Sequence, residues 1–446
     1  MSKTLDYETP AGASGPGPLP GARLSLTLLL LINMFNYIDR QVLAAVEPSI
    51  AKTFFSSHDK NVLAKMGLLS TAFILSYMIA APLFGWIADR TSRWLLVGVS
   101  VLLWSFATAG SGLAWTFGVL LCTRLFVGIG EAGYGPAAPT IISDLYPVAR
   151  RGSVLAWFYV AIPVGSALGY VIGGAVGNAF GWRLAFYVVT VPGLLLGIWS
   201  LFMKDPPRGA HDGGVTHGLP RLADYLHLLK IRSFVLNTLA MAAMTFAIGG
   251  ISYWMPHYLI EARHMTGNST TMFGGITVVA GLGATILGGL AGDNLRSRYG
   301  GSYFLVSGVG ILIAVPFTLA MLWTPFPFAW VMIFGAVFFL FFNTGPSNTA
   351  LANVVNPAVR ASAFAINIFV IHAIGDAPSP PILGWIADKW GWNASFGVVA
   401  ACMALAGVLW LIGTPHLKAD TDAVAGIGNS NDEIRMTNQA RMTELE

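Results

Sequence analysis

Charge is what this sequence has least of. Only 10% of its 446 residues are charged, against about 25% in a soluble globular protein, while 55% are hydrophobic. With a mean hydropathy of +0.66, the chain is an integral membrane protein. Cysteine is nearly missing too. Cys122 and Cys402 both fall inside apolar runs, so neither a disulfide framework nor a metal cluster is expected. No phosphate-binding Gly-rich loop, zinc-ligand spacing or nucleophile elbow occurs, so nothing supports ATP use, hydrolysis or a cofactor. The first twenty residues are rich in Gly and Pro and lack a basic segment followed by a short apolar one, so no cleaved signal peptide is expected and 1–22 is expected to be a disordered tail. The net charge of +4 would suggest an acidic partner in a soluble protein, but here its placement matters more than its total, and no nucleic-acid partner is expected.

What is abundant is the apolar run of ~20 residues, the length that spans a bilayer. Twelve occur, near 24–50, 66–88, 94–114, 117–142, 153–178, 183–203, 233–259, 271–292, 302–323, 327–355, 361–387 and 393–413. With both termini cytoplasmic, seventeen of the 25 basic residues fall on the cytoplasmic side and six on the far side, while Arg40 and Arg124 lie within spans. That excess sets the orientation in a cell (inner or plasma) membrane.

The chain also repeats itself. At an offset of 210 residues, Gly135-Pro136 falls on Gly345-Pro346, Pro147 on Pro357, Arg150 on Arg360, Gly181-Trp182 on Gly391-Trp392 and Phe186 on Phe396. Farther upstream the offset is 204, matching Gly85 and Asp89 to Gly289 and Asp293. Two six-helix halves, 23–203 and 232–414, are therefore expected about an axis along the membrane normal. A linker at 204–231 carries a short amphipathic helix through Leu222, Tyr225, Leu226 and Leu229, and 415–446 is a tail. The fold class is all-α membrane protein with twelve helices in two pseudo-symmetric halves.

Ionisable residues inside such spans are costly, at least ~2.5–3.5 kcal/mol each, and face a protein interior or a wet cavity. The first span carries Asn33, Asn36, Tyr37, Asp39, Arg40 and Glu47. Asp39 and Arg40 lie ~22–24 Å along the helix, near the bilayer middle. Asn33, Asn36, Arg40 and Glu47, spaced three, four and seven apart, share one face and predict a polar path. The fourth span carries Arg124 and Glu131, seven residues and ~10 Å apart, so each needs a partner elsewhere. Their repeat equivalents are Phe334 and Phe341, so the fold itself does not require charge there. Depth along the spans pairs Asp39 with Arg124 and Arg40 with Glu131. Because burial disfavours the charged form of a carboxylate, Glu131 is the leading proton carrier, with Asp39, Arg40 and Arg124 as its coupling partners.

Three further groups complete the candidates. Tyr134 in the fourth span, Asn343 in the tenth, and His372 with Asp376 in the eleventh, just before a proline cluster, are candidate substrate contacts together with Asn33, Asn36, Tyr37, Arg40 and Arg124. Gly85, Asp89, Arg90 and Arg93, with Asp293, Arg296 and Arg298 in the second half and Arg150 and Arg360 after the fourth and tenth spans, form a candidate gating latch. There Gly85 is expected to let backbones approach closely. A stripe of Gly165, Gly169, Gly173 and Gly174 predicts close packing of the fifth span.

Gly85-x-x-x-Asp89-Arg90 with Arg93 resembles the loop pattern of the major facilitator superfamily. Asn36-Tyr37-Ile38-Asp39-Arg40, Ile74-Leu75-Ser76-Tyr77-Met78, Gly128-Ile129-Gly130-Glu131-Ala132 and Ala161 to Tyr170 together resemble the Spinster family. That resemblance implies a transporter of lysolipid or sphingolipid type, with Asp39, Arg40, Arg124 and Glu131 as its central cluster for proton coupling and headgroup contact. A small organic anion such as a sugar acid is the alternative cargo, and an uncoupled lipid scramblase the alternative from another class. The expected partners are a small-molecule or lipid substrate, protons and the bilayer, with the protein a monomer.

Overall fold

In a computed structural model, residues 17–443 are described apart from 57, 89, 209, 211–227, 267 and 356–358. The described residues are helical almost throughout. In the first half, α1 covers Ala22–Phe54, α2 Val62–Ala88, α3 Arg93–Leu113, α4 Phe117–Leu145, α5 Val148–Phe180 and α6 Trp182–Leu201. In the second, α7 covers Arg232–His257, α8 Asn268–Arg296, α9 Ser302–Ala320, α10 Ala329–Phe341, α11 Thr344–Asn353, α12 Arg360–Ile371 and α13 Ser379–Thr443. Two π-turns, Tyr258–Ala262 and His372–Asp376, extend α7 and separate α12 from α13.

Ten helical stretches among the described residues are long and apolar enough to cross a membrane, against the twelve spans expected from sequence. The difference has a physical origin at two places. α1, with 33 residues, is long enough but is diluted by Asn33, Asn36, Asp39 and Arg40. The stretch Ala363–Val424 counts once, although Gly391 at φ 80° breaks its helix. Gly181, at the repeat-equivalent position between α5 and α6, has φ 88°. A left-handed backbone is open to glycine at little cost, so both halves turn a corner at the same point of the repeat.

The α5 stripe packs against α1. A Cβ on Gly165 would lie 2.4 Å from Met34 O, on Gly169 2.6 Å from Ile38 O and on Gly173 2.6 Å from the Ala45 Cβ, whereas Gly174 faces Thr270 of α8 at 3.3 Å. Such close backbone contact carries helix association where lipid offers no hydrophobic driving force. Gly85 behaves otherwise than expected. A Cβ there would meet nothing within 4 Å, so Gly85, near the end of α2, brings no backbone close; a Cβ on Gly289 would also meet nothing, although one on Gly345 would lie 3.4 Å from the Gly289 Cα. The expected amphipathic helix of the linker lies mostly outside the described residues, as does the tail before residue 17. Beyond 414 the chain stays helical to Thr443, with Leu417 buried and the Asp420 carboxylate accepting from Ser233 N–H at 2.9 Å.

The two halves are joined by side-chain bonds toward the side away from the termini. Tyr170 Oη donates to Ser252 O and Tyr253 Oη to Met66 O, each at 2.5 Å. Asp388 accepts from the Leu63 and Ala64 N–H groups at 3.2 and 3.0 Å, capping the start of α2. Lys52 meets Glu261 at 2.7 Å. A Cβ on Gly67 of α2 would lie 2.5 Å from the Pro380–Pro381 backbone.

Candidate functional site

The middle of the interface between the halves holds a cavity of about 220 Å³. Its wall draws on α1 (Tyr37, Arg40, Gln41), α4 (Arg124), α7 (Ser252, Tyr253) and the second π-turn (His372, Asp376).

Arg40 and Glu131 are paired. Arg40 Nε donates to Glu131 Oε2 at 2.8 Å and Nη2 lies 2.7 Å from the same oxygen. The Glu131 side chain is fully buried, whereas that of Arg40 keeps 22% exposure toward the cavity. An aromatic box steadies the guanidinium, with the Tyr37 and Phe73 rings each 4.8 Å from Cζ and Tyr77 at 5.6 Å. A cation over aromatic faces gains about 0.5–2 kcal/mol, more when desolvated.

Asp39 points the other way round α1, as successive helical residues must. Its Oδ1 lies 3.8 Å from Arg124 Nη1, and Thr108 of α3 donates to Oδ2. At 3.8 Å the charges attract without a good hydrogen bond. Arg124 Nε and Nη1 accordingly have no hydrogen-bond partner among the described residues, nor has Glu131 Oε1. Buried polar atoms left so are uncommon and call for a ligand, water or proton.

Across the cavity, His372 Nδ1 lies 2.9 and 3.1 Å from the two Asp376 oxygens, with both side chains about a fifth exposed. The π-turn that carries them inserts one residue into the helix, a deviation often found at functional sites. It sets Asp376 against α7, where a Cβ on Gly249 would lie 2.8 Å from the Asp376 Cβ.

Other candidates fall elsewhere. Asn33 Nδ2 donates to Phe158 O at 3.0 Å and Tyr134 Oη to Leu29 O at 2.7 Å. Asn343 Nδ2 donates to Leu340 O at 2.7 Å, within its own chain turn. These three and Asn36 are buried but are not among the cavity's lining residues. The polar face of α1 is thus no continuous path. Asn33 meets α5, Arg40 meets α4 and the cavity, and Glu47 meets His257 of α7.

Among the gating candidates, Arg93 is the most tightly held. Buried, it pairs with Asp144 of α4, reaches Asp205 Oδ1 at 3.3 Å and donates to Pro206 O at 2.8 Å. Arg208 adds bonds to Ala88 O and Thr91 O at 2.7 and 2.8 Å, tying the start of the linker to the α2–α3 loop. Arg90 stays local, donating to Trp86 O. In the second half, Asp293 accepts from Tyr303 Oη at 2.7 Å and Arg296 donates to the same oxygen at 3.2 Å. Arg298 and Arg150 are exposed, and Asp89 and the Arg360 side chain lie outside the described residues.

Sequence reasoning missed Gln41, Thr108, Asp144, Asp205 and His257. None sits in a motif, and each acquires its meaning from a partner on another helix.

Paired halves of membrane-crossing helices around a central charged cavity define a transporter of the major facilitator type, and the Major Facilitator Superfamily model matches residues 29–380. Within it the comparison narrows. The chain is 35% identical over 434 residues to protein spinster homolog 3 of Danio rerio, covering 90% of this chain and 86% of that one. It is 34% identical over 381 residues to the sphingosine-1-phosphate transporter SPNS2 of Danio rerio, with 80% and 74% covered. It therefore belongs to the Spinster family of transporters and is not an enzyme. Its fold is similar to the crystal structure of a bacterial homolog of the human lysosomal transporter Spinster, with TM-score 0.74 at 23% identity, covering 91% of this chain and 98% of that one.

Proposed function

We propose that this transporter carries a lysolipid or sphingolipid type of amphiphile by alternating access, driven by protons. The observation that carries the reading is the Arg40–Glu131 pair. One partner is sealed in protein and the other opens onto the cavity between the halves. A proton arriving on Glu131 removes the charge that holds Arg40 and leaves the guanidinium for an anionic headgroup. Arg124, with two unsatisfied donor atoms on the same wall, is the second headgroup contact. His372 and Asp376 face both across the cavity.

On this reading the chain crosses a cell membrane twelve times with both termini cytoplasmic, counting α1 and dividing Ala363–Val424 at Gly391. The bonds between halves then close the outer side, and the cavity serves the cytoplasmic side of a monomer. Arg93, Asp144 and Asp205, with Asp293, Arg296 and Tyr303 in the second half, act as latches for the inner ends. One proton moving down about 100 mV and one pH unit supplies about 2.3 plus about 1.4 kcal/mol, enough for a several-hundred-fold cargo gradient. The relative named as a sphingosine-1-phosphate transporter supports a lipid cargo.

The cavity itself favours a second reading. At about 220 Å³ it is smaller than the roughly 300–1,000 Å³ of pockets that enclose drug-sized ligands, which suits a small organic anion. A lysolipid would place only its headgroup there, with the tail along apolar helix surfaces. Uptake into proteoliposomes under an imposed proton gradient separates these cases. Competition by long-tailed amphiphiles supports the lipid, competition by short acids the alternative. Flux indifferent to the gradient would identify a scramblase, and Glu131→Gln transport that still follows the gradient would refute the assignment of the proton to Glu131.

A further inference from the structure

A second pair of titratable groups joins the halves, away from the central cavity. Glu47 of α1 is fully buried and its Oε2 is in hydrogen-bond contact with Nδ1 of His257, the last residue of α7. Glu47 Oε1 has no hydrogen-bond partner among the described residues. The imidazole is packed against indoles, 5.8 Å from the Trp254 ring and 5.3 Å from Trp392. The other charged groups around His257 are Lys52 on α1 and Glu261 on the π-turn after α7, which pair with each other at 2.7 Å. Tyr253 of α7 lies between Glu47 and Arg124 of α4 in the electrostatic surroundings on the cavity side, and Asp388 caps α2 on the same closed side.

Burial makes this pair a proton counter. A carboxylate beside a neutral imidazole would leave one uncompensated charge between two tryptophans, so the sealed pair has to hold one proton, shared between carboxylate and ring. Once the halves part on that side, both groups meet water. Ordinary values of ~4.3 for Glu and ~6.5 for His then leave the carboxylate ionised and the ring neutral near pH 7. Sealing takes up a proton and opening releases it. Since the sealed state binds more protons, acid favours it and alkali opens it.

We propose that Glu47 and His257 form a second proton-binding site, separate from Arg40–Glu131, loaded from the side away from the termini each time that side closes. This rests on the alternating-access reading above. The test is a distance measurement on the full-length protein in lipid nanodiscs, with Cys122 and Cys402 replaced and spin labels on Lys60→Cys and Thr266→Cys, both exposed on the closed side. The expected result is a short distance at about pH 5, with a longer population growing as the pH rises through roughly 6–7. Glu47→Gln should abolish this response. His257→Gln should move its midpoint down by about one unit or more, because the proton must then sit on the carboxylate. Glu131→Gln, whatever it does to the resting ratio of the two distances, should keep the pH response that Glu47→Gln abolishes. A parent protein indifferent to pH, an unchanged response in Glu47→Gln, or a response that disappears only in Glu131→Gln would each overturn the second site. Because the readout is a distance, a wrong cargo assignment shows itself in the uptake assay and leaves this result standing.

Discussion

Breaking the central pair from either end should have unequal consequences. Arg40→Gln leaves the Glu131 carboxylate, which is fully enclosed, without its counter-ion. Breaking a buried pair by removing one partner costs about 3–5 kcal/mol, because the other charge has no water to turn to. Glu131→Gln is the milder change. The amide oxygen can still accept from Arg40 Nε, and the surviving guanidinium keeps its aromatic box and its 22% exposure to the cavity. Its loss should be nearer the ~1.5–3 kcal/mol of a charged hydrogen bond. The double variant Arg40→Gln/Glu131→Gln should recover part of the Arg40→Gln loss, since it removes the orphaned charge. The Arg40→Gln defect should also ease in acid, where a proton neutralises the carboxylate, so that its stability falls as pH rises. Thermal unfolding of the purified protein in one detergent, at about pH 5 and about pH 8, gives the ordering directly. Equal destabilisation by the two single variants, or a double variant no better than Arg40→Gln, would refute the claim that Glu131 is the enclosed partner.

Helix packing gives a paired prediction. Gly169→Ala, whose Cβ would press on Ile38 O at 2.6 Å, should destabilise by about 1–3 kcal/mol, while Gly174→Ala, opposite a threonine side chain at 3.3 Å, should be tolerated in the same unfolding assay. Arg93→Gln removes the charged bond to Asp144 and weakens those to Asp205 and Pro206, and should cost about 1.5–3 kcal/mol, visible also as faster proteolysis of the linker that Asp205 and Pro206 begin. Lys52→Ala breaks a pair whose side chains are 69% and 34% exposed, so solvent screening limits its effect to about 0–1 kcal/mol, and the melting temperature should barely move.

The charged core was readable because it violated its surroundings. Asp39, Arg40, Arg124 and Glu131 stand out in apolar runs, and depth along a helix of known rise is enough to match them in pairs. The internal repeat was equally visible, and Gly181 and Gly391 show what it encodes, a left-handed turn repeated in both halves. What stayed hidden was azimuth. Asn33 and Arg40, seven residues apart, lie on one side of α1, yet one meets the backbone of α5 and the other a cavity, because the neighbouring helices differ along the way. Thr108, Asp144 and His257 carry no local signal at all. Each is an ordinary residue until the packing sets it against an acid or a base. Gly85 misled in the opposite direction, since a glycine in a loop motif suggests close approach and the structure leaves open space around it.

The divergence between the repeats bears most directly on mechanism. A fold built twice could have carried its charges twice, yet Arg124 and Glu131 are answered at the equivalent positions by Phe334 and Phe341. Phe341 lies where a Cβ on Gly281 would come within 4.0 Å of both its ring and Pro163 of the first half. Phe338, Phe339 and Phe342 around it form a run of ring contacts. At the depth of the central cavity the first half therefore supplies Arg40, Arg124 and Glu131, while the second supplies His372 and Asp376 with this aromatic cluster beside them. A cargo with a charged head and an apolar tail would be recognised in both parts by such a wall, and a short acid by only one of them. Replacing Phe341 by a polar residue of similar reach, Phe341→Gln, should on this reasoning weaken competition by long-tailed amphiphiles severalfold while leaving that by short acids unchanged. Equal loss for both would show that the aromatic cluster serves packing alone.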